Sequence, residues 1–263
     1  MRVRNLKLTI AYRGTKYHGF QRQPNAVTIQ GELEKVLSRI LNGPVTVYGC
    51  SRTDTGVHAN MFCLHLHTER EIRCKNLVRA ANGYLPADIS VLSCEEMPEA
   101  FHARFDCKGK EYLYRIHNHE SKNPFATDLA FHYRRPLDVD LLREAAMPVV
   151  GTHDFHSFCA QATEASNTVR TIYHVSVERR GDAVDLLVSG DGFLYNMVRI
   201  FVGTLLDINE GYFPPDAMHD ILAAKNRLAA GRTAMAHGLY LNRVFYEDAE
   251  IPRADPVQPI LIP

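Results

Sequence analysis

Up to residue 95 the hydrophobic period of this chain switches in the order strand, helix, strand, strand, helix, strand, and few folds accept that order. Leu6, Leu8, Ile10 and Tyr12 alternate with Lys7, Thr9 and Ala11, the period-two mark of a half-buried strand. Behind Thr28, a good N-cap, Ile29, Leu33, Val36, Leu37, Ile40 and Leu41 recur at three- and four-residue spacing and make one apolar helical face. Asn42-Gly43-Pro44 stops that helix, and Gly43 suits the left-handed position after it. A strand over 45–48, a period-two strand over 62–67, a helix over 76–84 and a strand over 89–95 complete the series. β-α-β-β-α-β is the ferredoxin-like plan, which many RNA-binding modules share.

The second half carries similar signals. A strand over 110–117 sets Tyr112, Tyr114 and Ile116 on one face. Asp138 caps a helix to about residue 150, and 151–158 reads as a loop packed by Phe155 and Phe158. Residues 168–172 lead into a hairpin that turns at Gly181-Asp182 and returns over 184–188. Residues 193–206 are apolar nearly all round, which predicts a buried helix, and Arg199 is the one charge in it. A buried guanidinium without a partner is costly, so Arg199 should meet a carboxylate. A helix over 215–224 and a strand from 238 toward 246 follow. The expected fold class is α+β: two ferredoxin-like (RRM-like) α/β halves with mainly antiparallel sheets and a central cleft. The expected division is 1–106, 107–247 and a tail, 248–263, that holds four prolines and reads as extended.

Thirty Lys and Arg cancel thirty Asp and Glu among 263 residues, so a generally basic polyanion binder is excluded. A nucleic-acid partner then needs a local basic patch. One exists: Arg2, Arg4, Lys7, Arg13, Lys16 and Arg22 all precede the first acid, Glu32. Tyr17, His18, Phe20 and Gln21 lie among them. Such rings suit exposed bases, or are core aromatics along a solvated strand edge. The six cysteines form no C-x-x-C pair, which argues for reduced thiols. The first residues hold no apolar signal core, and no apolar run approaches the ~20 residues of a membrane span, so a soluble cytoplasmic protein is expected. Cys63, His65 and His67 share one strand face, but zinc takes three or four convergent ligands, usually from separate elements; a solvated or RNA-facing sheet face is the preferred reading. No metal or cofactor is expected.

The chemistry concentrates in residues 48–59. Arg52 and Asp54 stand one residue apart in a turn between strand-like runs. A neighbouring guanidinium favours an ionised carboxylate, which makes Asp54 a candidate nucleophile or electrostatic stabiliser. An Asx-type turn that caps backbone N–H groups is the plainer alternative. A hydrolase built on Ser51 or Cys50 with His58 and an Asp is a third reading, though such triads are defined by geometry rather than sequence proximity.

Arg52-Thr53-Asp54-Thr55-Gly56-Val57-His58-Ala59 closely resembles the RTDAGVHA signature of the TruA family of tRNA pseudouridine synthases. Tyr17-His18-Gly19-Phe20-Gln21-Arg22-Gln23 is similar to the family's Y-x-G-W-Q-R-Q segment, with Phe20 for Trp, and Phe101-His102-Ala103-Arg104-Phe105 also matches. The resemblance runs from about residue 5 to 247. Its departures are Ser51 for Gly, Thr55 for Ala, Phe20 for Trp, and Tyr195-Asn196 where other members show His-His. It implies that Asp54 is the nucleophile, carried by the N-terminal half, that Arg199 ion-pairs with it, and that Tyr112 stacks on the target base and assists proton transfer. It further implies that Leu239 lines the uracil pocket, Arg170 contacts phosphate and Arg52 holds the flipped nucleotide. Arg104, Arg13, Lys16 and Arg22 would contact the RNA. The implied activity is conversion of uridine to pseudouridine at positions 38, 39 and 40 of the tRNA anticodon stem-loop by a homodimer, without cofactor. A non-catalytic RNA-binding protein, or a TruA paralogue with another RNA target, is the alternative.

Overall fold

The computed structural model describes residues 2–160 and 167–252. In chain order its elements are β1 (Arg4–Tyr12), α1 (Ile29–Leu41), β2 (Tyr48–Gly49), β3 (His58–Thr68), α2 (Cys74–Tyr84), β4 (Ile89–Met97), β5 (Gly109–Asn118), β6 (Phe131–Tyr133), α3 (Val139–Ala146), β7 (Gly151–Asp154), β8 (Val169–Arg180), β9 (Ala183–Gly190), α4 (Met197–Asn209), α5 (Ala217–Ala224) and β10 (Leu239–Phe245). The described residues form two compact units, one of residues 2–108 and 240–246, the other of 109–160, 167–239 and 247–252. Mixed α+β architecture with mainly antiparallel strands is therefore present in both.

The first unit realises the β-α-β-β-α-β order. β1 pairs antiparallel with β3 and β4, β2 pairs antiparallel with β3, and β10 joins β3 in parallel. Leu6, Leu8 and Ile10 stand opposite Leu66, Leu64 and Phe62, and all six are at most 1% exposed. Ile29, Leu33 and Leu37 of α1 and Leu77 of α2 add to this core. The opposite face of the sheet is neither solvated nor open to a partner along its whole length. Segment 98–105 crosses it: Asn5 donates to Pro98 O and Phe101 O, Ala103 N donates to His65 Nδ1, and the Tyr246 hydroxyl donates to Ala103 O. Cys63 and His65 are buried beneath it and His67 alone of the three is exposed, which corrects the solvated reading of that face. Among the described residues no group of His, Cys, Asp or Glu is placed to hold a metal ion.

Two expectations near α1 shift. The backbone N–H groups of Val45 and Val47 donate to Ser38 Oγ and Glu34 Oε1 of α1, so the strand expected over 45–48 survives only as Tyr48–Gly49. Asn42, at φ 51°, takes the left-handed cap in place of Gly43.

In the second unit β5 pairs with β9, β9 with β8 and β8 with β7, all antiparallel, while β6 adds to β5 in parallel. The β8–β9 hairpin turns at Gly181-Asp182 as expected, with Gly181 at φ 57°. Arg115 and Asp185, directly opposed on β5 and β9, make a bidentate pair at 2.9 and 3.1 Å. Helix α4 is buried over most of its circumference, as its composition demands, but starts four residues later than expected: Asn196 at φ 60° cannot belong to a right-handed helix. The helix from Asp138 ends at Ala146 and tightens into a 3₁₀ turn at Pro148. Residues 151–154 are a strand on β8, not loop, while Phe155 and Phe158 are buried as read. The expected tail opens with a 3₁₀ turn and buries Ile251 beside Gly109; its remainder lies outside the described residues. Among the described residues no helix is long and apolar enough to cross a membrane.

Candidate active site

In the first unit, the loop that carries Asp54 is held from below by the segment that follows β1. Thr53 is buried, shares a 2.8 Å hydrogen bond with the Tyr12 hydroxyl, and accepts from Phe20 N at its carbonyl. Tyr17 O accepts from Gly56 N, and His58 Nδ1 accepts from Gly14 N at 2.9 Å. Two glycines permit this contact of backbone on backbone. A Cβ on Gly14 would lie 1.9 Å from Val57 O, and one on Gly19, at φ 81°, would lie 2.5 Å from Thr53 O. Phe20 stacks on Phe62 with centroids 4.2 Å apart. The loop backbone is thus fixed on both sides of Asp54, whose side chain is half-buried between exposed Arg52 and Thr55.

The clamp settles how residues 12–23 are used. Tyr17 and Phe20 are buried, so they are core aromatics and not base contacts. Arg13, Lys16 and Arg22 are exposed. Arg22 leans to the buried Glu34 carboxylate at 3.2 Å, and Lys16 lies 4.0 Å from Asp88. Arg4 and Lys7 pair with Glu96 and Glu95 of β4. Burial and a hydrogen bond to Asp88 raise the Tyr17 hydroxyl well above its ordinary range. Arg104 is exposed beside Phe105. His58 is fully buried against Tyr240 and committed to Gly14, and Cys50 is fully buried, so neither is presented as part of a hydrolase triad.

The second unit holds Tyr112, Arg170, Arg199 and Leu239. Tyr112 sits on β5 opposite Val188, 7% exposed, with its ring edge-on to Phe193 at 4.9 Å. Arg199 projects from the first turn of α4; its Nε donates to Ala234 O and its Nη1 to Asn196 Oδ1, both at 2.8 Å, and its own carbonyl accepts from Ala234 N. The segment 230–238 is strapped to α4 along its length. Gly231 N donates to Thr204 Oγ1, Arg232 N donates to Asp207 Oδ2, and Gly203 passes so close that a Cβ there would lie 1.7 Å from Arg232 O. Tyr114 donates to Met235 O, and its hydroxyl is raised by burial, opposed by the charge of Arg199. Burial also lowers the pKa of His237, with Arg199 pushing the same way and Asp128 against it. Arg170 Nη1 donates to Asn167 O and Val169 O. Leu239 is 6% exposed at the head of β10.

Sequence reasoning missed the positioning groups: Gly14, Gly19, His58, Asp88 and the 230–238 strap. Gly203 within an apolar helix was the visible signal for the strap, since a mid-helix glycine marks a close approach.

Comparison with known proteins completes the picture. A family model described as tRNA pseudouridine synthase matches residues 8–106 and 145–247, a span that includes Asp54 and Arg199 but not Tyr112. A tRNA pseudouridine synthase A of Bacillus pumilus is 44% identical over 245 residues, 92% of this chain and 99% of its own length. One from Exiguobacterium sibiricum is 46% identical over 248 residues, 94% of this chain and 99% of its own. A solved chain from a Cbf5-Nop10-Gar1 complex aligns over 90% of this chain and 48% of its own at 13% identity and a TM-score of 0.37, too loose a likeness to inform the site. With the Asp54 loop and its clamp in place, and with matches of this length, the chain belongs to the tRNA pseudouridine synthase family as an enzyme of the TruA type.

Proposed function

We propose that the enzyme isomerises uridine at positions 38, 39 and 40 of the tRNA anticodon stem-loop, with Asp54 as nucleophile. In this reaction the N1–C1′ glycosidic bond breaks, the base turns, and C5 bonds to C1′; the C5 proton leaves and N1 ends protonated, so product and substrate have the same atoms. The observation that carries the assignment of Asp54 is the clamp. The backbone on both sides of this carboxylate is fixed by Phe20 N, Tyr17 O and Gly14, which presents the group in one geometry, as a nucleophile at a glycosidic carbon requires. The target base leaves its stack at a cost of a few kcal/mol, and exposed Arg52 is proposed to hold the flipped nucleotide. Resemblance to the family assigns Tyr112 to stacking on the base and proton transfer, Arg199 to pairing with the Asp54 carboxylate, Leu239 to the uracil pocket and Arg170 to phosphate, while Arg104 and the basic run of Arg13, Lys16 and Arg22 are proposed to contact the RNA. It also proposes a cytoplasmic homodimer, which sedimentation at equilibrium checks. The halves 1–106 and 107–247 are proposed to supply the nucleophile loop and to complete the site, respectively.

The test is positional, because isomerisation leaves mass unchanged. Unmodified tRNA transcripts are incubated with parent and Asp54→Asn, labelled with carbodiimide and read by primer extension. Stops at 38–40 with the parent alone are expected. Stops with both proteins would remove Asp54 from the role, and stops elsewhere would replace the target positions.

A further inference from the structure

Where segment 98–105 leaves the β-sheet of the first unit, it joins β2 in a run of touching rings, exposed at its two ends and half-buried at His102, for which the reaction gives no role. Tyr48 is 44% exposed and stacks on His65, its cross-strand partner, at 5.0 Å and 22°. His65 meets His102 at 4.6 Å, and His102 meets Phe105 at 4.2 Å and 31°. Phe105 is 75% exposed, with the Arg104 guanidinium 5.9 Å from its centroid. Leaving a phenyl ring in water forgoes roughly 2 kcal/mol of burial, which is a reason to look for something that covers it.

The rings are held in place. His102 Nδ1 accepts from the backbone N–H groups of Arg104 and Phe105, and the His102 backbone N–H donates to Asp106 Oδ2 at 2.8 Å, while Asp106 N returns a bond to His102 O. His65 Nδ1 accepts from Ala103 N. Both imidazoles therefore use Nδ1 to accept backbone N–H groups, which fixes the orientation of their rings. The rim includes the exposed polar residues Arg104, Asp106 and His67. Planar rings beside one guanidinium are the chemistry that receives unstacked bases and the adjoining phosphate.

We propose that Tyr48, His102 and Phe105, edged by Arg104, form a stacking platform for unpaired bases of the tRNA substrate other than the target uridine. The inference rests on tRNA as the substrate and adds a binding subsite to it.

The test compares equilibrium binding of an unmodified tRNA transcript by the parent and by Phe105→Ala, Phe105→Leu, Phe105→Trp, Tyr48→Ala and Arg104→Ala over a range of salt. Phe105 is exposed, so its variants leave no cavity. Phe105→Ala and Phe105→Leu are expected to weaken binding roughly tenfold, with Phe105→Trp restoring it, because every base has a face to stack on. The slope of log K against log salt should stay that of the parent in these variants and fall by about one in Arg104→Ala. Parent-like binding by both Phe105→Ala and Tyr48→Ala would overturn the proposal. So would parent-like binding by Phe105→Leu, or weakening accompanied by a drop in sedimentation mass, which would make the patch a contact between copies. Pseudouridine mapping on the parent runs alongside: binding without modification would remove the proposed reaction while leaving the platform result intact.

Discussion

The loop of Asp54 and the helix of Arg199 solve the same problem with different supports. Each carries a charged group proposed for the chemistry, and each is fixed by glycines that let a second backbone approach. In the first unit the clamp, residues 12–20, is a surface segment with alternating buried and exposed positions, and Asp54 lies in a turn. In the second, Arg199 grows from α4, whose Ile200, Val202 and Leu205 are at most 1% exposed, and the strap 230–238 closes over it. One site is a loop laid on a core; the other is part of the core. The loop should be breakable alone, and the helix should not.

The sharpest break is a methyl group in each. Gly203→Ala sets a Cβ 1.7 Å from Arg232 O, where both atoms belong to packed backbone. It is expected to cost about 3 kcal/mol, more than the ~1 kcal/mol that alanine gains in a helix, read as a fall in denaturation midpoint. Gly14→Ala sets a Cβ 1.9 Å from Val57 O, and the clash is expected to displace the Asp54 loop, which lies on the core and not within it. It should lose roughly a hundredfold in kcat/KM, the scale of an ångström displacement of a reacting group, with only about 1 kcal/mol of stability. Equal stability losses in the two variants would erase the distinction.

Removing a side chain sharpens it next. His58 is fully buried and is the acceptor for Gly14 N. His58→Ala leaves a cavity and an unpaired N–H, an expected cost of about 2–3 kcal/mol by urea unfolding. Tyr114→Phe, its counterpart on β5, removes one hydrogen bond to Met235 O of the strap and should cost about 1 kcal/mol.

Acid separates the units by a further step. Burial, aided by the charges of His102 and His67, lowers His65 from 6.5 to about 4. The folded state then binds fewer protons than the unfolded one between those values, so stability is level above about pH 6.5 and falls as pH drops toward 4. The fall should approach 2–3 kcal/mol, and His65→Gln should flatten it. His237 shifts in the same direction for the same first cause, so His237→Gln should remove a smaller part of the acid slope in the second unit.

What the sequence made legible followed from local period and punctuation. The helix of Ile29–Leu41 was readable from its apolar face and Thr28, which accepts from Gly31 N as a cap should. The β8–β9 hairpin was readable from Gly181-Asp182. What escaped depends on contacts distant in sequence. Val45 and Val47 look like strand residues, and nothing local says that Ser38 and Glu34 take their N–H groups. A linear division of the chain cannot show that Tyr240–Tyr246 returns to the first unit, where Tyr240 pairs with His58 and Asn242 accepts from Asn60. At the candidate site, the wording around Asp54 pointed to the family, but alternation could not reveal that 98–105 would bury Cys63 and His65. Nor does a glycine announce whether it serves a turn or a close approach.

The smallest expected effect lies at two helix ends. Asn42 closes α1 at φ 51° and Lys225 closes α5 at φ 46°. Left-handed backbone costs most residues about 1 kcal/mol, asparagine less, and glycine nothing, though glycine loses more freedom on folding. Asn42→Gly should therefore be neutral within about 0.5 kcal/mol. Lys225→Gly relieves more strain but gives up the 3.1 Å pair with Asp154, whose carboxyl is held below the ordinary range chiefly by the Thr168 hydroxyl. That pair is exposed on the lysine side and is worth 0–1 kcal/mol, so the net gain should be no more than about 0.5 kcal/mol and should grow with salt as the lost pair matters less. A clear loss in Lys225→Gly at high salt would mean that the α5 end, unlike the α1 end, is held by its lysine rather than by its backbone.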